Sequence, residues 1–168
     1  MNLSEIKAMA RRREYDAALH ECDELVEAGT VKLIEVMRVR ASIHAAMRDF
    51  SSAVETYQKI VEEEGAHHGD YFLGANYAIA QGEMRLALYW LAEVIQMGRH
   101  RGNTALEPPS LFYSSYACME LGRFEEARDH LAKAKSAEPK ISLPIPGDSV
   151  FVDAAEMSSR IDRREMRW

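Results

Sequence analysis

The chain has 168 residues, 47% of them hydrophobic and 29% charged, with a formal net charge of −6. That length supports a domain burying roughly 70% of its unfolded surface. The acidic balance, with no basic stripe, argues against nucleic-acid binding. No run approaches the ~20 apolar residues of a membrane-spanning helix. The first residues, Met1-Asn2-Leu3-Ser4-Glu5-Ile6-Lys7, lack the charged-then-apolar run of a secretory signal, so a cytoplasmic protein is expected.

In chain order, the spacing predicts helices in pairs. A short helix over 4–10 precedes a longer one over 14–27, where Leu19, Cys22, Leu25 and Val26 follow helical spacing. Gly29 is its expected stop and Thr30 the next cap. The second pair covers 31–47 and 50–64, ending at Gly65, with Ala53, Tyr57, Ile60 and Val61 on one face. The third covers 70–81 and 84–97, with Asp70 as cap, Gly98 as stop, and Ala87, Leu91, Val94 and Ile95 in the corresponding places. Residues 98–107 exceed a repeat turn and read as a surface insertion, with Arg99, His100 and Arg101 available to an acidic partner. The fourth pair covers 108–121 and 124–136, where Ala127, Leu131 and Ala134 repeat the pattern.

Pro144 and Pro146 then forbid helix, and Ile141, Leu143 and Ile145 alternate as a strand would. Such a segment can rest on apolar surface, including a groove of the same chain. A last helix over 148–166 is expected, capped by Asp148, with Val150, Ala154, Met157 and Ile161 as its apolar stripe.

Ala18, Ala53, Ala87 and Ala127 mark a period, with gaps of 35, 34 and 40 residues. Five residues before each stands Arg13, Arg48, Gly82 or Gly122, and three before each a bulky Tyr15, Phe50, Met84 or Phe124. A self-similar period near 34 residues signals a helical solenoid. The alanine lets the two helices of a pair approach closely, and stacked pairs bury a core that one pair cannot. The expected fold is all-α. It has one repeat domain over 1–139 with pairs at about 1–29, 30–65, 66–98 and 108–139, and an insertion at 98–107. Residues 140–168 supply an extended linker and a capping helix to the same domain.

Gly122-Arg123-Phe124-Glu125-Glu126-Ala127, then Leu131, Ala134 and Pro139, resembles the second-helix signature of the tetratricopeptide repeat family. Gly74-Ala75 resembles the small pair of its first helix, where the second and fourth blocks have Arg40-Ala41 and Ser114-Ser115. The resemblance implies a concave groove lined by first helices that binds a protein or peptide partner. Carried over by position, it implies Arg38, Phe72, Asn76, Ile79, Phe112, Tyr116 and Met119 as partner-contacting residues, with Ser42 and Ala45 beside them. Phe72, Phe112 and Tyr116 imply a groove suited to a partly apolar ligand. Phe72-Leu73-Gly74, with Gly82 and Ala87, also resembles the translocator chaperones of bacterial type III secretion, which implies a chaperone or adaptor role. An immunity protein neutralising a cognate toxin is the alternative, acting through a broader surface that includes the Arg99–Arg101 loop.

No catalytic residue, cofactor or metal is expected. His67-His68-Gly69-Asp70 is the one dense polar cluster, the remaining candidate for a metal-dependent hydrolase, and its spacing matches no ligand pattern. There is no glycine-rich phosphate loop and no HExxH. Cys22 and Cys118 read as buried free thiols.

Overall fold

The computed structural model describes residues 1–148 and 150–168. The chain forms two compact units, Met1–Asp70 and Tyr71–Trp168.

The first unit contains α1 (Leu3–Arg11), α2 (Tyr15–Ala28), α3 (Leu33–Ala46) and α4 (Phe50–Glu62). Helix α1 packs on α2 and α3, and α3 packs on α2 and α4. Ile6, Ala18, Cys22, Leu25, Val36, Val39 and Ile43 form a common core. Asn2 starts α1 with a capping box: its Oδ1 accepts from the Glu5 N–H at 3.1 Å, and the Glu5 carboxylate accepts from the Asn2 N–H at 2.8 Å. The expected cap at Thr30 is not used, since α3 begins two residues later, after Lys32.

Helix α5 (His68–Gln81) leads into the second unit, which continues with α6 (Met84–His100), α7 (Glu107–Glu120) and α8 (Phe124–Ala137). A two-stranded antiparallel hairpin follows, β1 (Ser142–Pro144) against β2 (Phe151–Asp153), with Leu143 opposite Val152. Helix α9 (Ala154–Glu165) closes the chain and packs on α8 and α7.

The periodic residues have one physical job each. All four alanines are fully buried. Arg13, Arg48, Gly82 and Gly122 all have left-handed backbone, with φ of 65°, 60°, 91° and 73°. In each case the next N–H reaches back five residues: Glu14 to Met9, Asp49 to His44, Glu83 to Ala78 and Arg123 to Cys118, at 2.8–3.1 Å. This is the Schellman turn, which pairs the orphan carbonyls of a helix end and reverses the chain. The sequence period is thus a period of helix termination. Ser115, at the small position of α7, is buried and donates its Oγ to the Ala127 carbonyl at 2.7 Å, so a polar residue is accommodated at the closest approach.

Three expectations about element bounds are corrected. Gly98 does not end its helix: α6 runs on to His100, and Gly102 makes the turn at φ 67°, with the Asn103 N–H bonded to the Gly98 carbonyl at 2.8 Å. The last helix begins at Ala154 and not at 148, because Phe151–Asp153 is drawn into pairing with β1. Asp153, not Asp148, caps it, accepting from the Glu156 N–H at 2.8 Å. The expected helix start at 148–150 includes Ser149, which lies outside the described residues; Val150 is 47% exposed, while Ala154, Met157 and Ile161 are buried as the stripe requires. Asp70 is not a cap residue either. It sits inside α5, and its carboxylate reaches back to the His67 N–H at 2.9 Å.

Candidate functional site

In the first unit, Arg38 is not a free groove cation. Its guanidinium grips Asp70 through Nε at 2.8 Å and Nη2 at 2.7 Å, donates to the Gly65 carbonyl at 3.2 Å, and also meets Glu35. The Asp70 side chain is only 2% exposed, against 21% for Arg38. Burial pushes the Asp70 carboxyl up, but the Arg38 hydrogen bond, the His67 N–H and the adjacent positive charges together outweigh it and hold it below the ordinary value. His67 Nδ1 stands 3.3 Å from the same carboxylate. The His67-His68-Gly69-Asp70 cluster is therefore organised around an ion pair that ties the start of α5 to α3. Cys22 and Cys118 are buried and free, and burial pushes both thiols up, away from thiolate reactivity.

In the second unit, the expected groove residues split. Phe112 is fully buried, Ile79 is 4% and Met119 3% exposed, so these three serve the core. Phe72, Asn76 and Tyr116 are half-buried. Phe72 lies against the ring of Tyr113, centroids 5.9 Å apart. The Asn76 amide nitrogen donates to the Phe72 carbonyl at 3.0 Å, while its Oδ1 has no partner among the described residues.

Sequence reasoning did not single out Tyr113, yet it touches the β1 strand of this unit. Its hydroxyl donates to the Pro144 carbonyl at 2.9 Å, and burial raises its pKa to about 12. Ile141 and Ile145 are 2% and 4% exposed. Gly147, at φ 83°, passes so close to α5 that a Cβ there would stand 3.0 Å from Ala80 Cβ. The chain thus lays residues 141–147 across α5 and α7, as the alternation of Ile141, Leu143 and Ile145 allows.

Beyond this segment, α7 and α9 enclose a cleft of about 280 Å³. Tyr116, Met119 and Glu120 form one wall, and Arg160, Arg163, Arg164 and Arg167 the other. Arg164 donates to Glu120 at 2.8 Å. Arg160 and Arg163 share one oxygen of Glu156, at 3.0 and 2.9 Å. Burial and Glu120 raise the Tyr116 pKa, against the pull of Arg160 and Arg164. A cleft of about 560 Å³ in the first unit includes Val26 and Leu33, but Arg40 there is already paired with Asp23.

The 98–107 segment is tighter than a free loop. Arg99 Nε donates to Glu107 at 3.1 Å, which holds the Glu107 carboxyl below its ordinary value. Gly98 is buried against the Asn103 carbonyl, where a Cβ would meet the oxygen at 2.5 Å. His100 and Arg101 are exposed.

No protein-family model matches the sequence. No curated protein is significantly similar to it. Solved structures are similar in fold. A crystal structure of MamA superposes with a TM-score of 0.69 at 12% identity, covering 96% of this chain and 95% of that one. The TPR-like repeats of a Podosopora anserina kinesin light chain give 0.70 at 13% identity, covering 98% and 85%. YrrB, described as a TPR protein with an unusual peptide-binding site, gives 0.65 at 12% identity, covering 82% and 67%.

The chain has the tetratricopeptide-repeat fold. In tetratricopeptide terms α1, α3, α5 and α7 are first helices of pairs, and the four Schellman turns lead into the second helices α2, α4, α6 and α8. The hairpin and α9 follow the four helix pairs. Among the described residues no helix is long and apolar enough to cross a membrane.

Proposed function

We propose that the protein is a non-catalytic protein-interaction module whose partner docks on the α5–α7 face through Phe72, Asn76 and Tyr116. One observation supports this reading most: residues 141–145 of the chain itself lie extended against that face, with a side-chain hydroxyl of α7 holding a backbone carbonyl of Pro144. That is the mode by which a repeat surface holds a foreign peptide. Part of the face is covered by the chain's own segment, while Phe72 and Tyr116 remain half-buried. Aromatic anchors of this kind carry most of the binding energy in protein interfaces.

The experiment is recovery of proteins that co-purify with the natively expressed chain, compared with a Phe72→Ala/Tyr116→Ala variant and a Tyr89→Ala control. Tyr89 is 59% exposed, on α6. Loss of a partner in the first variant alone supports the reading. Retention in that variant, with loss on changing His100 and Arg101, would favour the broad-surface inhibitor.

A further inference from the structure

We propose that the cleft between α7 and α9 is a binding site for an acidic peptide segment, its neighbouring Asp or Glu carboxylates seated on the arginines of α9. This inference rests on the reading of the protein as an interaction module and specifies the charge of its partner.

Arg160, Arg163 and Arg164 fall at i, i+3 and i+4, which aligns them on one face of α9, and Arg167 follows just beyond its end at Glu165. That face turns towards α7 and lines a concave cleft. Charge inside the cleft does not balance. Four guanidiniums line it against one carboxylate, Glu120, and two of the arginines share a single oxygen of Glu156, which is not part of the lining. Arg167 has no ion-pair partner among the described residues. Asp148 adds negative charge near Tyr116. The surplus is local, on a protein of net charge −6.

The cleft also shows what it takes. Glu120 already seats a carboxylate on Arg164 at 2.8 Å. Guanidinium forks match carboxylates in a planar, two-pronged geometry. The Tyr116 hydroxyl has no hydrogen-bond partner among the described residues and can donate to a second carboxylate oxygen. A volume of about 280 Å³ suits one or two side chains and not a folded element. The ligand is therefore a flexible acidic segment that inserts side chains.

The test is fluorescence anisotropy with fluorescein-labelled hexaglutamate, and hexalysine as the opposite-charge control, on the full chain. The parent is expected to bind hexaglutamate at about 0.02 M salt, to release it near 0.5 M, and to ignore hexalysine. Arg163→Ala/Arg167→Ala should weaken binding by at least about tenfold. Arg85→Ala/Arg101→Ala removes the same charge from exposed positions elsewhere in the unit and should leave binding within about twofold. Absence of hexaglutamate binding at low salt, or equal losses in the two double variants, overturns the proposal. Binding that depends on Arg163 and Arg167, with no partner lost from a Phe72→Ala variant that leaves the cleft wall intact, would uphold the cleft while refuting the wider α5–α7 face. The opposite pair of results would uphold the face and refute the cleft.

Discussion

Replacing Asp70 by Ala removes the anchor of the α3–α5 tie. The variant loses two hydrogen bonds from Arg38, at 2.8 and 2.7 Å, and one from the His67 N–H, at 2.9 Å. Breaking a fully buried pair costs about 3–5 kcal/mol, because a charge is left without its partner. Arg38 keeps Glu35 and the Gly65 carbonyl, and its side chain is 21% exposed. The orphaned guanidinium is therefore partly solvated, and the expected loss is about 2–3 kcal/mol. Urea unfolding followed by circular dichroism at pH 7 measures it. The sign of the pH dependence follows from the depressed carboxyl: the stabilisation is complete above the unfolded carboxyl value near ~4 and is lost as pH falls through the lower folded value. Parent and variant should converge in acid. A Leu at 70 with a Met at 38 should recover most of the loss, since an apolar pair replaces the ionic one. A gap under about 0.5 kcal/mol at pH 7, or one that widens on acidification, would refute the reasoning.

Three further substitutions probe the repeat turns and packing. Gly122→Ala should destabilise by about 1–2 kcal/mol through its left-handed backbone alone, and its Cβ would also meet the Trp168 ring at 2.8 Å, so thermal melting should show partial relief in a Trp168→Ala background. Arg13→Gly should raise the urea midpoint: the left-handed penalty of about 1–2 kcal/mol is removed, glycine's extra chain entropy costs about 0.5–1, and the net gain is about 0.5–1. Ala127→Leu should cost about 1–3 kcal/mol or more by overpacking the α7–α8 approach, and an unchanged denaturant midpoint would contradict the packing role of the fully buried alanine.

The repeat was legible because termination and close packing each demand a narrow residue set. A left-handed turn favours glycine, and a tight helix approach favours alanine, so both recur visibly. Arg13 and Arg48 hold the same geometry without glycine, and only their phase with the alanines reveals them. The groove was less legible. The family resemblance implied Phe112, Ile79 and Met119 as ligand-facing positions, but exposure there depends on what the rest of the chain lays down. Arg38 looked free because its partner Asp70 lies 32 residues away. The strand alternation of Ile141, Leu143 and Ile145 was a readable signal, whereas the Tyr113–Pro144 hydrogen bond left none. The arginines at the end of the chain gave no sequence signal of a site because α7, which turns them into a cleft, lies some forty positions earlier, as the 44-residue separation of Glu120 and Arg164 records.

Photo-crosslinking tests the central claim most directly. Benzoylphenylalanine placed singly at Phe72, Tyr116 or Tyr89 keeps an aromatic ring at each site. The account predicts that a partner protein crosslinks from positions 72 and 116 on the α5–α7 face and not from 89 on α6. Crosslinks from 89 alone, or equally from all three, would contradict it.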